Sequence, residues 1–107
     1  MPGWLFRGQP SGPEARVRFE DGSLVLKGRI TFETVMGLYR EIRPYLPEVV
    51  SVNLKEVTFM DSAGVALLVE CKRLTTREGR ELAFLNLPDQ AASIARLSNA
   101  GGILGVA

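Results

Sequence analysis

Asp61 and Ser62, followed by Ala63 and Gly64, place an acid, a hydroxyl and two small residues where strand-forming sequence gives way to helix-forming sequence. Either polar side chain can accept hydrogen bonds from the first backbone N–H groups of a helix, which have no partner within it. The same position suits regulation. A phosphate on Ser62 would add about −1.5 to −2 charges, which a helix N-terminus accommodates and the neighbouring Asp61 opposes. The rest of the chain offers little other chemistry. With 0 histidines it lacks the usual base of serine and cysteine hydrolases, the commonest zinc ligand and the phosphohistidine of relay proteins. Its 1 cysteine, Cys71, excludes an internal disulfide and a cysteine-based metal cluster. Neither a lysine-bearing phosphate-binding loop nor a G-x-G-x-x-G turn occurs. These absences predict a binding protein without cofactor or metal, not an enzyme.

Length and composition agree with a small binding domain. A chain of 107 residues forms one domain and can bury roughly two thirds of its unfolded surface. Apolar residues at 46% and charged residues at 23% separate it from disordered chains. Its 13 basic and 12 acidic side chains leave a net charge of +1 without blocks of like sign, which argues against nucleic acid as a partner. The longest apolar run, residues 65–69, is far shorter than the roughly 18 residues of a membrane span. The start lacks the basic-then-apolar order of a signal peptide, so the expected location is the cytoplasm, without direct membrane insertion. Residues 1–14 hold 3 prolines and 3 glycines and are expected to form an irregular N-terminal arm, leaving 15–107 as the domain. Trp4, Leu5 and Phe6 in that arm suggest no function of their own.

The elements that must position Asp61 and Ser62 follow from apolar spacing. Val17 and Phe19 alternate with Arg16, Arg18 and Glu20, and Asp21-Gly22 supplies a turn into "SLVLKG", predicting an antiparallel hairpin. Thr31 can cap a helix from about Phe32, with Phe32, Val35, Met36, Tyr39 and Ile42 on its apolar face, ended by Pro44. "EVVSVNL" reads as a central strand and "KEVTF" as a short connection. A second helix is predicted from about Ser62 to Glu78, stopped by Gly79. "ELAFLNL" reads as a strand, Pro88 opens a third helix, and "NAGG" breaks it before a short closing strand in "ILGVA". Strands joined through helices lie parallel, so the prediction is an α/β fold: a mixed, mostly parallel sheet with its helices mainly on one side.

Around the second helix, at about 100° per residue, Gly64, Leu67, Leu68, Cys71, Leu74 and Thr75 form one face, which makes Cys71 a core thiol. The opposite side carries Ser62, Val65, Ala66, Val69, Arg73 and Thr76. A helix lying on a sheet needs one apolar face. The surplus stripe of Val65, Ala66 and Val69 beside Ser62 therefore reads as a docking surface, or as the seat of a neighbouring helix.

The stretch "VNLKEVTFMDSAGVALLVECKRL" resembles the signature of the STAS domain, found in bacterial anti-sigma factor antagonists and related regulatory subunits. The matching parts are Val52-Asn53-Leu54, Phe59-Met60, Asp61-Ser62, Ala63-Gly64 and the apolar helix from Val65. The resemblance implies the STAS fold for residues 15–105, Ser62 as a phosphoacceptor and Asp61 in a kinase-binding loop. It also implies a partner surface drawn from Asp61, Ser62, Ala63, Gly64, Val65, Ala66, Val69 and Arg73, and an anti-sigma factor kinase as one candidate partner. Antagonists commonly carry a "GEID"-like turn before their first helix, whereas this chain has "KGRITFETV", with Gly28 retained and Arg29 and Thr31 at the acidic positions. That segment is similar instead to the small STAS subunit of the bacterial Mla phospholipid-transport ABC system. On that resemblance the partner is an ABC-transporter ATPase subunit.

Overall fold

A computed structural model describes residues 14–105, so the expectation of an irregular arm falls almost wholly outside the described residues. Asp21 and Gly22 both adopt positive φ, at 48° and 83°, the backbone a two-residue hairpin turn demands. They join β1 (Ala15–Glu20) to β2 (Ser23–Ile30) in antiparallel register, with Val17 opposite Leu26 and Phe19 opposite Leu24. β3 (Ser51–Met60) lies parallel to β2, and β4 (Ala83–Leu85) parallel to β3, giving the order β1-β2-β3-β4 among the described residues. The helices are α1 (Val35–Ile42), α2 (Ser62–Arg77), α3 (Asp89–Leu97) and the single turn α4 (Gly101–Leu104).

Alternation along the strands separates a core face from an outer face. Val17, Leu24, Leu26, Val52 and Leu54 enter one buried cluster with Leu38, Ile42, Leu67, Leu68, Cys71, Ala91 and Ala95 of the helices. On the outer face Arg18 pairs with Glu56 at 3.2 Å, spanning the buried Val25 between them. Arg80, just after α2, donates to the carbonyl oxygens of Leu46 and Val49, which fixes the entry to β3.

Three local expectations are corrected. "KEVTF" is strand, because register shifts between Val25 and Lys27 and between Gly28 and Arg29 let β3 continue to Met60. Such shifts re-phase which residues face the core, and this erases the alternation that marks a strand. α1 begins at Val35, since residues 31–34 form a turn in which the Thr34 hydroxyl donates to Arg29 O at 2.9 Å and accepts from Thr31 N. Its buried residues are Leu38 and Ile42, while Phe32 and Met36 stand 72% and 62% exposed. The closing strand is instead α4, entered after Asn99 at positive φ, with Gly101 and Leu104 buried.

Candidate functional site

Asp61 follows β3 in extended conformation and caps α2. Its Oδ1 accepts from Ala63 N at 2.9 Å and Gly64 N at 3.2 Å, and its Oδ2 accepts from Phe32 N at 3.2 Å. One carboxylate thus satisfies the start of α2 and tethers the turn before α1. Ser62, the first residue of α2, is exposed, and its hydroxyl has no hydrogen-bond partner among the described residues. Capping and the candidate switch therefore belong to different side chains. Gly64 is buried where α2 meets the sheet, and a Cβ there would stand 2.5 Å from Met60 Cγ and 2.7 Å from Ile30 O. Gly64 is small because the helix start lies directly on the ends of β2 and β3.

Beside Ser62 lies a shallow cleft of about 350 Å³ between α1 and α2, lined by Val35, Met36, Tyr39, Ala63, Ala66 and Glu70 among others. Ala66 is exposed. Arg73 binds Glu70 through two hydrogen bonds of 2.9 and 2.7 Å. That bonding holds the Glu70 carboxyl below the usual carboxylate range and raises the Arg73 guanidinium above its own. The Glu70 edge of the cleft thus carries an ion pair with Arg73.

The expected stripe is only partly a surface. Ser62, Ala66 and Arg73 are exposed and Val69 is half-buried, but Val65 is 4% exposed and belongs to the core. The physical reason is that α2 packs against α3 and α4 as well as the sheet, so Val65 joins the cluster that holds Ala91, Ala95 and Leu104. Conversely, Phe32 and Met36, expected on the apolar face of the first helix, are exposed, Phe32 tethered through its N–H to Asp61 and Met36 lining the cleft. Leu38, four residues before Ile42, was the signal for a second apolar stripe on α1. Cys71 is a buried thiol, as expected, and desolvation pushes it up to about 12, so at neutral pH it is protonated and unreactive. Among the described residues no group of three or more His, Cys, Asp or Glu comes together as a metal site. No helix among them is long and apolar enough to cross a membrane.

A family model described as "Mlab, STAS domain" matches residues 15–105. Among curated proteins nothing matches at a significant level. Two of the solved structures that match illustrate the shared fold. One is the Bacillus cell fate determinant SpoIIAA in its phosphorylated form, at 18% identity and TM-score 0.62, covering 87% of this chain and 90% of that one. The other is the anti-sigma factor antagonist SpoIIAA in its unphosphorylated form, at 18% identity and TM-score 0.65, covering 87% of each. At that identity the likeness concerns the fold.

Proposed function

The chain belongs to the STAS domain family, and from that membership we propose that it is a non-enzymatic, cytoplasmic binding subunit that docks on the ATPase of a phospholipid-transport ABC system. The observation that carries the binding role is the surface around Ser62: a hydroxyl free of any capping duty, with Phe32 and Met36 exposed beside it. Apolar side chains with an ion pair at one edge are the pattern of a protein-binding patch. Asp61, Ala63 and Gly64 shape this surface, Ala66 and Arg73 belong to it, and Val65 supports it from below. The choice of partner is supported by the first-helix segment "GRITFETV" and by the Mlab description of the matching family model.

A second reading, an anti-sigma factor antagonist switched by phosphorylation, is favoured by Ser62 itself. A phosphate on an unbonded hydroxyl at the first position of α2 leaves the cap intact. It adds charge where the helix dipole tolerates it and an apolar partner does not. Co-purification of the tagged chain with identification of the captured protein separates the two. Stoichiometric capture of an ABC ATPase, lost in Met36→Asp while circular dichroism is unchanged, is the expected result. Capture of a histidine-kinase-like ATPase that transfers phosphate to Ser62 replaces it with the second reading. Under either reading Ser62→Asp weakens the complex roughly tenfold or more and leaves the fold intact.

A further inference from the structure

Beyond Glu70, α2 forms one wall of a second depression, of about 620 Å³, which meets the proposed docking face only at Val69 and Arg73. Its floor is Leu82 and Phe84 at β4, and its far wall is Ile103 and Leu104 of α4. Leu82 and Leu104 are part of the core, whereas Ile103 is 44% exposed, so the apolar floor continues into an apolar lip open to solvent. A concave site of some 300–1,000 Å³ with mainly apolar lining and a few polar groups is the general form of a small-molecule site.

Charge indicates what the molecule is. Lys72, Arg73 and Arg77 line the groove, and no acidic residue is among the described residues lining it. Their aliphatic stems extend the apolar wall while their heads reach the rim. Lys72 is engaged by Leu82 O at 3.1 Å and by Glu81 at 3.9 Å, and Arg73 by Glu70. Arg77 makes no hydrogen bond or ion pair through its side chain among the described residues, and the Thr76 hydroxyl lies next to it in the lining. The Arg77 charge also bears on Glu70, but an apolar floor under a guanidinium whose hydrogen-bond donors are unpaired complements an apolar tail that ends in a carboxylate, which the planar fork of arginine can meet with two hydrogen bonds.

We propose that this groove binds a single-chain carboxylate amphiphile of the fatty-acid class, its tail on Leu82, Phe84 and Ile103 and its carboxylate at Arg77. The tail and carboxylate positions lie outside the proposed docking face, which shares only Val69 and Arg73 with the groove. The test uses the full chain labelled with ¹⁵N, titrated with dodecanoate below its micelle concentration and followed by amide correlation spectra. Saturable shifts are expected at Val69, Thr76, Phe84 and Ile103, with Ser62 and Ala66 unmoved. Arg77→Glu should weaken binding roughly tenfold, and Ile103→Asp should abolish it, both with unchanged far-ultraviolet circular dichroism. Three results overturn the proposal: no saturable shift in the groove, equal binding of dodecyltrimethylammonium, or saturation by an acidic amphipathic peptide with no response to dodecanoate.

Discussion

α2 carries two surfaces that differ along its length. Its first half faces α1 across a cleft beside Ser62, with Phe32 and Met36 exposed and Asp61 and Glu70 near at hand. Its second half faces β4 and α4 across a larger groove edged by Lys72, Arg73 and Arg77. The first surface is shallow, with strongly exposed apolar side chains, and suits a protein; the second is larger and mainly apolar and suits a small molecule. A helix can serve both because most of its attachment lies in other buried residues, such as Val65, Leu68 and Cys71.

The largest test of that division is removal of the attachment. Leu68 is 0% exposed in the core cluster, and Leu68→Ala is expected to cost about 2–5 kcal/mol. Chemical denaturation would measure the loss, and both surfaces should weaken together. If only one did, α2 would not be the rigid body the comparison requires.

Asp61 and Ser62 divide the labour at the first surface, and their alanine variants should differ accordingly. Asp61→Ala removes a cap with two bonds within α2 and the tether to Phe32, an expected cost of about 0.5–2 kcal/mol. Ser62→Ala should stay within about 0.5 kcal/mol of the parent, as an exposed substitution outside any bond network does. Equal unfolding free energies for the two would show that Ser62 shares the cap after all.

How far this was legible in the sequence depended on whether local rules governed the position. Asp21-Gly22 dictated the hairpin, and Gly79, at φ 73°, stopped α2 where predicted. The Asp61-Ser62 junction was visible too, as was the burial of Cys71. What could not be read were features set by packing between distant segments. The bulged register of β2 on β3 hid five residues of strand. The approach of α3 and α4 took Val65 into the core. The turn at Thr31 and Thr34 delayed α1, so Phe32 fell outside the helix whose apolar face it was expected to join. The proposed docking surface was therefore half seen: its α2 side came from the sequence, and its α1 side only from the fold.

The smallest expected effect concerns the ion pair that divides the two surfaces. Glu70 is held below its usual range mainly by the hydrogen bond from Arg73, so around its titration the carboxyl group binds fewer protons in the folded chain than in the unfolded one. The stabilisation is accordingly present above the unfolded carboxylate value of about 4.3 and fades as pH falls through the folded value. Since the Glu70 and Arg73 side chains are 36% and 52% exposed, water and salt screen the pair, and the contribution at neutral pH belongs to the small class of surface pairs. Glu70→Gln should flatten the acid limb of the stability-versus-pH curve slightly, and more at low than at high ionic strength. The same variant frees Arg73 to turn toward the groove, so dodecanoate binding should strengthen as stability barely changes. If binding there weakened instead, Glu70 would be holding Arg73 in place for the groove, and the two surfaces would be coupled rather than separate.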